Sequence, residues 1–248
     1  MAISISFHGT GSFTATEMRV QLHEWLAVLT GSLVQGTLLI FVWLWDPSLI
    51  AYALIGALSY SAFLIGQRVL NEAAYIRVDH KLNELFHASP LSPESYFLGM
   101  AMGIFLAYLP PIILFAILLE ILHPLTLLSA LALVGSMLAV WAFSSSVGYW
   151  VSTRFRDMKT IWPYSSLLTN LFGIVPPVFY PISFFQASLR PIALLIPTSS
   201  SVALIENAAG LEHLSFSNVL IGCVSLAVEA ILLLMAGIWI ARRTAREG

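Results

Sequence analysis

NEAAYIRVDHKLNELFHASPLSPE, residues 71–94, is the longest polar segment lying between two long apolar runs. Six of its 24 residues are charged (Glu72, Arg77, Asp79, Lys81, Glu84 and Glu94), in a chain that is only 10% charged. Tyr75, Val78, Leu82, Leu85 and Phe86 recur at helical spacing and make one face apolar. Arg77, Lys81 and Glu84 share another face, at i, i+4 and i+7. Ser89-Pro90 should end the helix, because the residue before a proline is pushed out of the α region. Ser92 then reads as an N-cap, with Pro93 at the first helical position. The stretch reads as a short amphipathic helix at a membrane surface, offered to a partner. The competing reading is a solvated connecting loop with some helix in it.

The flanking sequence supplies the membrane. The chain is 58% hydrophobic with mean hydropathy +0.88, whereas a soluble domain carries about 25% charged residues. Several apolar runs of about 20 residues imply an all-α, polytopic membrane protein. The net charge of -2 gives no footing for nucleic acid. The single Cys223 lies in an apolar run and has no cysteine to pair with in the chain.

Read in order, residues 1–13 form a polar tail without the basic start and apolar core of a cleavable signal. Thr14 to Glu17 has capping-box spacing, and Met18, Leu22, Trp25, Leu26 and Leu29 share one face. An interfacial helix over 14–24 is therefore expected before the first span. A bundle of six spans follows over 25–240. Span one covers about 25–45, with tryptophans toward both interfaces, and Asp46-Pro47-Ser48 is a tight turn. Span two covers about 49–70, and Arg68 near its end can snorkel to the surface. Span three, about 95–119, contains Pro110-Pro111 and should kink. Span four covers about 125–151. A basic loop with Arg154, Arg156 and Asp157 precedes span five. Span five starts near Ile161 and holds Pro163, Gly173, Pro176 and Pro177, so it cannot stay a clean helix. Residues 182–213 are apolar but divided by Pro191, Pro197 and Gly210 into pieces too short to cross, which suits half-helices that dip in and return. Span six covers about 219–240, and 241–248 is a basic tail.

With six spans, ten of the eleven Lys and Arg residues fall on one side and Arg190 alone on the other. The first side is then cytoplasmic, together with both termini and the 71–94 helix. The chemistry of an engine is missing. Neither Lys81 nor Lys159 follows a glycine, so there is no phosphate-binding loop. No Gly-x-Ser-x-Gly elbow occurs. The serines of Ser144-Ser145-Ser146 are expected to bond nearby carbonyls or to let helices approach closely. None of the histidines forms a His-x-x-x-His pair, so no metal or cofactor is expected in this chain. One acid, Glu229, lies mid-span. A charged acid there costs about 2.5–3.5 kcal/mol, so it needs a partner or a proton. It reads either as part of a substrate route or as a protonated group bonded to a neighbouring helix.

In this order and topology the chain resembles the ABC-2 type transporter permeases, the membrane subunits of drug, lipid and polysaccharide exporters, over about residues 16–240. Ser89-Pro90-Leu91-Ser92 before Tyr96-Phe97-Leu98-Gly99 is similar to the start of that family's third span. Arg154-Phe155-Arg156-Asp157 resembles its basic loop. Pro176-Pro177-Val178-Phe179-Tyr180-Pro181, then Leu189 to Ala193 and Pro197-Thr198, resemble its outer signature. Pro176 departs from the serine often found there, and Phe185-Gln186 from a common Leu-Pro pair. The resemblance implies two paired permease chains, as a homodimer or with a close paralogue, in the cell membrane. It also implies two copies of a separate ATPase that carry ATP and Mg. Residues 71–94 would be the coupling helix, with Arg77, Asp79, Lys81, Glu84 and Phe86 docking on that ATPase. The outer half-helices, marked by Pro177, Phe179, Tyr180, Pro181 and Pro197, would close the pathway. The alternatives are an intramembrane transferase, using the serine run and Glu229, and a membrane scaffold or channel without ATP coupling.

Overall fold

The computed structural model describes residues 7–78, 91–155 and 157–247. The described residues are helical and contain no strand. Ten α-helices are numbered here in chain order. They are α1 (Phe7–His23), α2 (Trp25–Trp45), α3 (Ile50–Val78), α4 (Pro93–Ala107), α5 (Leu109–Leu122), α6 (Leu127–Ser152), α7 (Met158–Thr169), α8 (Arg190–Ala193), α9 (Pro197–Ala208) and α10 (Phe216–Glu247). Four of them, α2, α3, α6 and α10, are long and apolar enough to cross a membrane. The pair α4 and α5 makes a fifth if counted as one bent span.

The local rules account for most boundaries. Asp46 turns the chain after α2, its carboxylate accepting from the Ser48 amide at 2.9 Å and the Ser48 hydroxyl at 2.7 Å. Ser92 caps α4 as its sequence suggests, accepting from the Ser95 amide at 3.3 Å, with Pro93 in the first turn. Pro110 and Pro111 give the expected kink: the helix breaks at Tyr108, and α5 leaves α4 at 50°. Both prolines sit in the first turn of α5, where a missing amide proton costs no intrahelical bond. Thr126 caps α6, and Asp157 caps α7, accepting from the Lys159 amide at 3.1 Å. Beyond Thr169, α7 runs into a π-helical turn at Asn170–Ile174 and stops. The segment expected to be broken holds only a 3₁₀ turn (Ile182–Phe184), the single turn of α8, and α9.

α3 is the centre of the bundle. It packs against α2, α4, α5, α6, α7 and α9, and 72% of its apolar window is buried, against 18% for α2 and 17% for α10. Its closest neighbour is α6. A Cβ placed on Gly66 would lie 1.9 Å from Ser144 Oγ, and one on Gly148 would lie 2.6 Å from the Gly66 carbonyl oxygen. Glycine on each helix lets the two backbones touch. The serine run behaves as expected: Ser146 donates to the Ala142 carbonyl at 2.7 Å, and Ser144 reaches the Ala62 carbonyl across the interface at 3.4 Å.

Three expectations are corrected. The N-terminal helix starts at Phe7 rather than after a tail ending at 13, so Thr14 and Glu17 lie inside it and form no capping box. Tertiary packing orders this early segment: Phe13 lies against Tyr96, ring centroids 5.2 Å apart. The polar stretch from residue 71 does not begin a helix of its own, because α3 continues unbroken to Val78. The tail after 240 is helix as far as Glu247, a direct continuation of α10.

Candidate functional site

Two groups of predicted residues, far apart in sequence, meet where α3, α6 and α10 end and α4 begins. Arg77, in the last turn of α3, donates through Nη2 to the Phe155 carbonyl oxygen in the loop after α6. That loop also carries Arg154, whose guanidinium lies 5.4 Å from the centroid of the Trp150 ring, and the capping residue Asp157. The Phe155 ring packs on Tyr164 of α7, centroids 4.4 Å apart. On the other side of the segment, Glu94 in the first turn of α4 accepts from Arg242 near the end of α10. Both Nε and Nη2 come within 3.0 Å of Glu94 Oε1. Glu94 is buried, so this is a charge-assisted contact of the stronger kind. The chain that leaves α3 and returns as α4 is thus tied at both roots. Arg77 serves this internal tie and is half-buried. Asp79, Lys81, Glu84, Phe86 and Arg156 lie outside the described residues.

A second polar group lies further along α3 and was not anticipated. Gly99 and Gly103, one turn apart on α4, admit α1. A Cβ on Gly99 would lie 2.9 Å from the Phe13 ring, and one on Gly103 would lie 2.6 Å from Glu17 Cβ and 2.8 Å from the Thr14 carbonyl oxygen. The approach buries the polar face of α1: Glu17 is 4% exposed and Gln21 1%. Val20 and Leu22 on α1, and Leu26 and Leu29 in the first turns of α2, are exposed, as suits a lipid-facing side. Gln21 Nε2 donates to Glu17 Oε1 at 3.0 Å and reaches Glu72 Oε2 at 3.3 Å. Burial pushes the Glu17 carboxyl up from its ordinary 4.5 to about 7; Glu72 and Glu24 add to the rise, and the Gln21 bond opposes it. Next to this group, Arg68 does more than reach the surface. Its Nε donates to the Tyr108 hydroxyl at 2.8 Å, at the break between α4 and α5, and its Nη2 lies 3.5 Å from Glu24. The sequence signal for this group is the Gly-x-x-x-Gly spacing of Gly99 and Gly103 in an apolar helix.

At the opposite end of α3 the proline-rich signature is assembled. Pro177, Pro181 and Pro197 are buried, and Phe179 and Tyr180 half-buried. A Cβ on Gly56 would lie 2.0 Å from the Val178 carbonyl oxygen, so the turn rests directly on the α3 backbone. Phe179 meets Tyr60 edge-on at 5.5 Å. Thr198 donates to the Phe172 carbonyl. Ser59 and Ser201 hydroxyls are 3.0 Å apart. Arg190, the cation expected alone on this side, donates to the Phe185 and Ser183 carbonyls at 3.1 and 2.9 Å. Glu206 on α9 is fully buried, and neither of its carboxylate oxygens has a hydrogen-bond partner among the described residues. Burial raises its pKa to about 9. Glu229 is half-buried on α10, and its Oε2 is buried without a hydrogen-bond partner among the described residues. The helix-to-helix bond considered for it is not found there.

The profile of the ABC-2 family transporter proteins matches residues 41–239. The chain belongs to that family. The match runs from the end of α2 to Trp239 in α10, so both ties of the 79–92 segment except Arg242 fall within it. No curated protein matches this ABC-2 chain significantly. Membership makes it a membrane component of a transporter, and its apolar helices make it a multi-pass one.

Proposed function

We propose that the chain is the permease subunit of an ATP-binding-cassette exporter, forming the route across the cell membrane and borrowing power from a separate ATPase. In this reading α1 is interfacial, and six crossings are made by α2, α3, the bent pair α4–α5, α6, α7 with its π turn, and α10. Both termini and residues 71–94 face the cytoplasm. The 3₁₀ turn, α8 and α9 form an outer lid. Two permease copies pair, and two ATPase subunits, holding ATP and Mg, dock below.

The family match over residues 41–239 carries this reading. The two ties support the coupling part of it. A segment fixed to α6 through Arg77 and Phe155, and to α10 through Glu94 and Arg242, passes a push to four helices rather than absorbing it. Because Arg77 is already engaged, docking falls to Asp79, Lys81, Glu84 and Phe86. The test is co-purification with a co-expressed candidate ATPase, sought in the reading frames neighbouring this gene. Lys81→Glu with Phe86→Ala should abolish capture and ATPase stimulation while the permease stays folded. Unchanged capture and stimulation would remove the segment from the docking role. Labelling of a cysteine placed at His80 only from outside the cell would overturn the topology.

A further inference from the structure

α9 is a short helix buried almost throughout, and it is seated against α3, α6 and α10. Its polar ties to the rest of the bundle are few. Ser201 meets Ser59 of α3, hydroxyls 3.0 Å apart, and just past its last turn the Leu211 carbonyl accepts from Tyr52 at 2.7 Å. His123 Nε2 lies 3.0 Å from the Ala209 carbonyl oxygen. Ser199 and Glu206, at i and i+7, share one face of the helix. Both are fully buried. Among the described residues, the Ser199 hydroxyl and both Glu206 carboxylate oxygens have no hydrogen-bond partner. Groups left unmatched in this way weaken the seat, because water would satisfy them once α9 lifted.

A carboxyl so placed keeps its proton. Around it, α3 brings Tyr52, the end of α5 brings His123, and the chain after α9 brings Glu212 and the exposed His213. α6 has no titratable residue before Tyr149, and the outer half of α10 has Cys223 and Glu229. Arg190 is engaged by the Phe185 and Ser183 carbonyls. The charge that acts on Glu206 is Glu212, of like sign. Burial first, then Glu212, raise its pKa from the ordinary 4.5 to about 9. When α9 lifts, water restores the ordinary value. Between the two values the lifted state releases a proton that the seated state keeps. The seat is firmest below pH 4.5 and weakens as pH rises toward 9. Over that interval the ratio of lifted to seated grows about tenfold for each pH unit.

We propose that Glu206 makes the outer lid a proton-sensitive latch, with α9 seated while this carboxyl carries its proton and lifted when it gives the proton up to outside water. The latch rests on the outer placement of α9 given under the proposed function. Ser199→Cys and, as an exposed control, Ser188→Cys are made in a full-length Cys223→Ala chain. Right-side-out membrane vesicles are treated from outside with a membrane-impermeant maleimide at a series of outside pH values from about 6 to 8. The ratio of the Ser199→Cys rate to the Ser188→Cys rate cancels the ordinary ionisation of a thiol. That ratio should rise about tenfold for each pH unit, and Glu206→Gln should make it flat. Glu212→Gln, which leaves Glu206 in place, should keep the rise. A flat ratio in the parent chain overturns the latch and leaves the lid on the outside. A rise that survives Glu206→Gln, or is lost in Glu212→Gln, assigns the proton to another group and overturns it as well. Labelling of Ser188→Cys only from the inside overturns the outer placement and the latch with it. The parent ratio and Glu212→Gln test the latch without requiring Glu206→Gln to fold.

Discussion

Replacing Glu17 by Gln should flatten the response of the protein's stability to pH. Glu17 is 4% exposed, enclosed by α1, α3 and α4. Its carboxyl is raised from 4.5 to about 7, first by burial, then by Glu72 and Glu24, against the Gln21 bond. Between these values the folded chain keeps a proton that the unfolded chain has released. The contribution is complete below pH 4.5, declines as pH rises, and is gone above about pH 7. At about 1.4 kcal/mol for each pH unit, the loss is about 3 kcal/mol. Gln keeps the size and the bond to Gln21 but carries no proton to lose. The assay is unfolding of the full chain in detergent at a series of pH values from 4.5 to 8, for wild type and Glu17→Gln. The difference between the two should grow in the variant's favour by about 3 kcal/mol across that range. Parallel curves would refute the reasoning, because they would mean that Glu17 meets water in the folded state.

Gly103→Leu should force α1 off α4, since its first side-chain carbon alone would lie 2.6 Å from Glu17 Cβ. Overpacking of this kind costs about 1–3 kcal/mol or more, and trypsin should cut at the exposed Arg19 faster; an unchanged cleavage rate would place the glycine outside the contact. Glu94→Ala and Arg242→Ala should each destabilise by about 1–3 kcal/mol, and a double-mutant cycle should return coupling of about 1–2 kcal/mol; additive effects would show that the pair acts separately. Glu206→Gln should fold and should remove the part of the pH response that extends toward pH 9, because burial holds that carboxyl protonated; a pH response identical to wild type in unfolding measurements would mean that this acid is hydrated.

What could be read from the sequence was set by short-range chemistry. Asp46 before a proline, Ser92 before a proline, and Pro110-Pro111 inside an apolar run each act within a few residues, and each appears in the structure as read. The division of 182–213 was legible for the same reason, because prolines set local limits on helix length. What was hidden depends on partners distant in the chain. The polar face of α1 reads as a wet surface until Gly99 and Gly103, more than 80 residues on, let it turn inward. Arg77 reads as a free cation because its partner is the Phe155 backbone carbonyl, which leaves no trace in side-chain identity. Glu206 sits beside Asn207 near the end of a short helix and looks solvated, yet α9 is buried along nearly its whole length.

The tight crossing of α3 and α6 at Gly66 and Ser144 makes a fulcrum. α3 is unbroken from Ile50 to Val78, so it acts as one lever. Its arms measure about 18 Å from Gly66 to Val78 and about 24 Å from Gly66 to Ile50, at about 1.5 Å per residue. A sideways shift of about 3 Å at Val78 would swing the far end by about 4 Å the other way. Gly56, against which Val178 rests, lies on that far arm.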